Sequence, residues 1–200
     1  MTLPSADFPP SLALADESAS DAFGRALAAC VVTGFGLHGD SAPGGFTIHF
    51  SGELGAGKTT IVRALLRGLG VEGRIKSPTY TLVEPYVVEM PKSVESRQDV
   101  KLNCYHFDFY RFEDPHEWLD AGFRDYFSDA ALRLVEWPER ARSEDGGLLP
   151  PADLHVSIEA AGAGRVVRWS TPSALGAAWL SRASLAAPSR PAAGSSSSAA

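Results

Sequence analysis

The sequence predicts a single α/β domain, and three observations predict it. Phe46-Thr47-Ile48-His49-Phe50 is rich in β-forming residues and runs into a glycine-rich stretch, then into the helical run Thr60-Ile61-Val62-Arg63-Ala64-Leu65-Leu66-Arg67. That strand–loop–helix order is the unit of α/β folds. Further strand-like and helix-like segments alternate as far as residue 170. A chain of 200 residues suffices for one sizeable core and is short for two.

Taken in order, residues 1–11 are Pro- and Ser-rich and are expected to be disordered. The domain is expected to span residues 12–171. Asp16-Glu17-Ser18-Ala19 supplies capping oxygens to a helix whose Phe23, Leu27 and Cys30 recur at three- and four-residue steps. A glycine-rich connection over 34–45 leads to the strand at 46–50. The helix after the glycine loop is stopped by Gly68 and Gly70. Ser77-Pro78-Thr79-Tyr80 opens a strand reaching about Val88, and 102–109 is a second strand. Between them, about 90–101, a polar stretch containing Pro91 is expected to be a mobile insertion.

Asp114 and Pro115 suit the start of a short helix, and a second is expected at 123–127. Leu132-Arg133-Leu134-Val135-Glu136-Trp137 reads as a strand ended by Pro138. Strands at 154–159 and 166–170 turn around Gly162 and Gly164. Residues 172–200 form an Ala/Ser-rich, low-complexity tail, expected to be disordered apart from a weak helix near Trp179 and Leu180.

The net charge of −6 offers no basic surface for nucleic acid, so any contact with RNA is expected to pass through a partner. Two cysteines, Cys30 and Cys104, lie too far apart for metal-ligand spacing and suit a reducing compartment. No apolar run reaches the ~18 residues of a membrane span, and no basic-then-apolar leader opens the chain. A cytoplasmic protein with no membrane association is expected.

Gly52-Glu53-Leu54-Gly55-Ala56-Gly57-Lys58-Thr59 matches G-x-x-x-x-G-K-[ST] without a substitution. Glycines let the backbone turn and aim its N–H groups at phosphate oxygens, and the following helix adds the positive end of its dipole. Lys58 supplies a compact cation for the β- and γ-phosphates, and Thr59 a hydroxyl for Mg²⁺. Such a loop needs a further acid at the end of a neighbouring strand. Asp108, in Tyr105-His106-Phe107-Asp108-Phe109, and Glu136, after Leu132-Arg133-Leu134-Val135, are both candidates. Thr79 lies in a proline-stiffened, hydroxyl-rich turn of the kind that senses a γ-phosphate, although a plain turn opening a strand explains it equally well.

Together these segments resemble the bacterial P-loop ATPases of tRNA threonylcarbamoyladenosine biosynthesis, the TsaE/YjeE type. The resemblance rests on Gly52 through Thr60, on Ser77-Pro78-Thr79-Tyr80-Thr81-Leu82-Val83-Glu84-Pro85-Tyr86, on His106-Phe107-Asp108-Phe109-Tyr110-Arg111, and on Glu136-Trp137-Pro138-Glu139 with Leu148-Leu149-Pro150. It implies a three-layer P-loop NTPase-like domain with a mixed, mostly parallel sheet. It further implies ATP and Mg²⁺ as cofactors, Thr59 and Glu136 as metal ligands, Asp108 positioning water or acting as base, Thr79 as a switch residue and Trp137 on the functional surface. Asp16 would lie near the nucleotide base. The implied role is ATP hydrolysis in support of threonylcarbamoyl transfer to tRNA position 37, with TsaB- and TsaD-type subunits as partners and tRNA reached through them. The polar 90–101 connection and the tail depart from the family pattern.

Two other functions fit a P-loop. A small-molecule kinase would use an arginine-bearing lid, and Arg140 and Arg142 stand where one would be. A GTP switch would need an Asn-Lys-x-Asp segment, which the chain lacks.

Overall fold

The computed structural model describes residues 11–36, 45–90, 100–142 and 149–182. The expected disorder of 1–10 and 183–200, and most of the expected 90–101 insertion, lie outside these residues. The strands are β1 (Ser11–Leu14), β2 (Phe46–Ser51), β3 (Val83–Met90), β4 (Val100–Asp108), β5 (Ala131–Glu136), β6 (Leu154–Ala161) and β7 (Gly164–Ser170). They form one sheet in the order β1-β7-β6-β2-β5-β4-β3. The centre is parallel, through the pairs β6–β2, β2–β5 and β5–β4, and the flanking pairs are antiparallel hairpins or edges. Central parallel strands are covered on both faces, and β2 and β5 are accordingly buried nearly throughout, polar Thr47, His49, Arg133 and Glu136 included.

Side-chain alternation assigns each face its layer. Phe46, Ile48, Phe50, Leu132 and Leu134 join Phe23, Leu27, Ile61 and Leu65 of α1 (Glu17–Gly36) and α2 (Lys58–Gly68) in one core. The two helices approach closely because Gly24 faces Ala64 and Gly68 faces Ala28, where an added Cβ would collide. On the other face Phe107 and Val135 join an aromatic layer of Phe109, Phe112, Trp118 and Phe123. This layer is carried by α3 (Glu117–Asp120) and the loops around it. Helices on one face and an aromatic layer with short helices on the other make the three-layer α/β arrangement expected from sequence.

Several boundaries differ. β1 was expected to be disordered at residue 11, yet its four residues pair with β7 along the sheet edge. α1 runs to Gly36, beyond the expected loop start at 34. The β3–β4 ladder continues through Glu89–Lys101 and Met90–Val100, so it enters the stretch expected to be an insertion. The segment expected at 123–127 is a 3₁₀ turn, Asp125–Phe127. At the start of α3, Asp114 accepts from the His116 N–H while Glu117 reaches back to the N–H of Asp114, a reciprocal cap. The tail does not begin at 172: α4 (Ala174–Arg182) buries Trp179 against Phe46, with ring centroids 4.8 Å apart. Leu175 and Leu180 also pack on the core, and Ser173 donates to Asp153 at the start of the helix, 2.6 Å away.

Candidate functional site

The site forms where the parallel strands end. Phe50, Glu136 and Asp108 are register neighbours across β2, β5 and β4, so two acids emerge beside the start of the glycine loop. The crevice beyond the carboxyl ends of parallel strands is the general ligand position of such sheets. Gly52 at φ 141° and Gly57 at φ 103° hold conformations that residues with a Cβ rarely adopt. Gly57 is the left-handed residue from which α2 starts, so the loop amides and the helix N-terminus open in one place.

Lys58 is buried, and its Nζ donates to the carbonyls of Gly52 at 2.6 Å and Glu53 at 3.0 Å. It also stands 3.6 Å from the centroid of the Trp137 ring. Burial lowers its pKa, while Glu136, Glu139, Asp108 and Glu53 pull the other way. Trp137 is not in β5 as the sequence suggested. Its backbone turns left-handed at φ 58°, its N–H donates to the Phe50 carbonyl at 3.2 Å, and its ring thereby lies against the lysine.

Glu136 and Asp108 are both buried, and each carboxylate is met by donors. Thr59 Oγ1 donates to Glu136 Oε2 at 2.8 Å, and His106 Nε2 lies 2.8 Å from Glu136 Oε1. A carboxylate oxygen accepts, so Nε2 is the protonated ring nitrogen here. Asp108 Oδ2 takes the hydroxyls of Thr79 at 2.6 Å and Ser77 at 3.0 Å, and its Oδ1 takes the Tyr110 N–H at 3.1 Å. A cavity of about 310 Å³ is lined by Lys58, Thr59, Thr79, Asp108, Glu136 and Trp137, among others.

Of the residues singled out from sequence, Leu54, Gly55, Gly57 and Thr60 also line this cavity, whereas Gly52, Glu53 and Ala56 shape the loop behind it. Asp16 stands apart: its carboxylate caps α1 by accepting from the Ala19 N–H at 2.8 Å. The residues after it, Glu17 and Ser18, line a second cavity of about 550 Å³ with Thr60, Arg63 and Arg67. His106 and Ser77 were given no role from sequence. The signal for His106 was its place two residues before Asp108, on the same face of one strand. Ser77 gave no signal beyond belonging to the same turn as Thr79. Among the described residues no three His, Cys, Asp or Glu side chains cluster as a metal cage. None of the described helices is long and apolar enough to cross a membrane.

Comparison with known proteins follows this geometry. The family described as "Threonylcarbamoyl adenosine biosynthesis protein TsaE" matches residues 14–167. The tRNA threonylcarbamoyladenosine biosynthesis protein TsaE of Haemophilus influenzae is 39% identical over 144 residues, covering 72% of this chain and 78% of that one. The protein of the same name from Bacillus subtilis is 35% identical over 118 residues, covering 59% and 64%. That from Synechocystis is 34% identical over 130 residues, covering 64% and 69%. The crystal structure of Bacillus subtilis YdiB superposes with a TM-score of 0.54 at 23% identity, covering 82% and 85%, which shows the shared fold. The strand-end acids, the glycine loop and the match over residues 14–167 agree: this chain belongs to the TsaE family.

Proposed function

We propose that this protein binds and hydrolyses ATP with Mg²⁺ as an accessory protein of tRNA threonylcarbamoyladenosine synthesis, working with the threonylcarbamoyl-transferase subunits. The observation that carries the reading is the convergence of the Thr59 hydroxyl and the buried Glu136 carboxylate beside the loop, 2.8 Å apart. A hydroxyl and a carboxylate are the donor set with which P-loops hold Mg²⁺, the remaining ligands coming from phosphate and water. Bound Mg²⁺ would neutralise charge between the β- and γ-phosphates.

The protein's own groups divide the remaining work. The amides of Gly55, Gly57, Lys58, Thr59 and Thr60, which line the cavity, donate to phosphate oxygens. Lys58 exchanges its two carbonyl partners for the β- and γ-phosphates, gaining a charged acceptor for neutral ones. Asp108, oriented by Ser77, Thr79 and Tyr110, positions the attacking water or takes its proton. Thr79 can report the γ-phosphate to the exposed Tyr80 beside it. Trp137 joins the lysine to the functional surface, where TsaB- and TsaD-type partners would dock, with tRNA reached through them. Asp16 belongs to the region near the nucleotide base.

The kinase alternative is less favoured. Arg142, one of its two lid arginines, lies 3.4 Å from His49 Nδ1 and does not line the cavity. Purified protein should release phosphate slowly from ATP, and the rate should change when transferase subunits are added. Phosphate transferred to a metabolite instead of water would replace this reading.

A further inference from the structure

A polar cluster that lines neither cavity lies on the sheet face opposite α1 and α2. Ile48 and Phe50 join the core under those helices, so alternation turns His49 and Ser51 of β2 to the other face. His155 of β6 is the register partner of His49, and its Nε2 lies 2.5 Å from the Ser51 hydroxyl. The 3₁₀ turn Pro138–Ala141 packs against β2 and delivers Arg142, whose Nη2 stands 3.4 Å from His49 Nδ1.

A guanidinium only donates, so His49 Nδ1 is the acceptor and the ring proton sits on Nε2. That Nε2 is buried and has no hydrogen-bond partner, in a side chain 1% exposed. Buried donors left without an acceptor are rare in folded proteins. The surroundings supply only more donors. Ser51 and His155 share one bond, which leaves one O–H or N–H over in either tautomer. Burial lowers the pKa of His49 to about 3 and lowers that of His155; Arg142 lowers both further, and no carboxylate pulls the other way. Asp153, two residues before His155, is taken by the Thr47 N–H at 2.8 Å and the Ser173 hydroxyl at 2.6 Å. Glu139 of the turn acts on Lys58 instead.

We propose that His49, Arg142, His155 and Ser51 form a binding site for a small oxyanion, inorganic phosphate, separate from the glycine loop and independent of whether that loop takes a nucleotide. The His49 Nε2–H donates to one oxygen from the closed end. Arg142, which is exposed, and His155, which is half-buried, close on the others from the solvent side. Guanidinium and phosphate are well matched in shape and charge. A lone water would satisfy Nε2–H, but it would not account for the further donors gathered without an acid. The buried end favours a free ion over a phosphate carried on a larger ligand.

Imidazole ¹⁵N–¹H spectra of the full chain, assigned with His49→Gln and His155→Gln, test this on titration with sodium phosphate, with sodium chloride at matched ionic strength as control. Both histidines should shift saturably in wild type and in Lys58→Ala, and should stay in place with chloride. Arg142→Gln is expected to raise the midpoint by about ten-fold or more. Shifts that vanish in Lys58→Ala would assign the ion to the glycine loop and overturn the proposal. Shifts reproduced by chloride, or a midpoint in Arg142→Gln within about two-fold of wild type, would also overturn it. Tighter binding of O-phosphoserine than of phosphate would overturn the assignment to a free ion. A purely structural cluster predicts a lower melting temperature for Arg142→Gln with no phosphate-dependent shift in wild type, which again overturns the proposal. Arg142 is exposed, so its variant is expected to fold; should it not, the wild-type and Lys58→Ala titrations decide alone.

Discussion

Glu136 is a buried carboxylate with each oxygen taken by a different donor, Thr59 on one side and His106 on the other. Groups behind a metal ligand hold its orientation, and their loss commonly weakens metal binding by about 10–100-fold. His106→Leu is therefore expected to raise the Mg²⁺ concentration needed for ATP binding by about that factor. His106→Gln, which keeps a donor, should recover part of it. Titrating Mg²⁺ at fixed ATP measures both. A second histidine sets a pH dependence. His49 is held neutral because burial lowers its pKa from 6.5 to about 3, with Arg142 and His155 adding to the effect. The unfolded chain then binds more protons between those values, so stability is full above about pH 6.5 and falls as pH drops through the window. The slope well below pH 6.5 should approach about 1.4 kcal/mol per pH unit from this residue. Urea unfolding of His49→Phe across about pH 7 to 5 should show a flatter dependence than wild type.

At the level of elements, α1 and α2 are neighbours because glycines remove the side chains that would separate them. A Cβ on Gly24 would stand 2.5 Å from the Ala64 Cβ and 2.7 Å from the Ile61 carbonyl. Gly24→Val is expected to cost about 1–3 kcal/mol or more by overpacking, read as a lower urea midpoint with an unchanged slope. The damage should reach the site as well, since α2 begins at Lys58. Elements with strong periodicity or a diagnostic loop were legible in the sequence: β2, α2, β5 and the β6–β7 hairpin. The missed edge strand is marginal by local criteria. β1 has four residues and gains its place only by pairing with β7, a contact more than 150 residues away in the chain that no short-range pattern records. α4 is rich in small residues, so the sequence shows it only as a weak helix near Trp179; Trp179, Leu175 and Leu180 pack it on the core and Ser173 ties its start to Asp153.

Across the whole molecule, the sheet brings together groups from four separate stretches of chain. The loop follows β2, Asp108 ends β4, Glu136 ends β5, and Ser77 and Thr79 precede β3. The motif residues were legible because their chemistry depends on spacing within one segment. His106 was not, since what marks it is its partner Glu136 on the neighbouring strand, and that partner is set by topology. Trp137 was read as the end of a strand because nothing in Glu136-Trp137-Pro138 announces a left-handed backbone. In this acidic chain the glycine loop and Lys58 line one cavity with Thr59, and the account depends on an anion filling it. Calorimetry with ATP and Mg²⁺ tests this most directly. Wild type should bind one equivalent per chain and Lys58→Ala should bind at least about ten-fold more weakly. No heat of binding in folded wild type, or equal affinity in the two proteins, would contradict it.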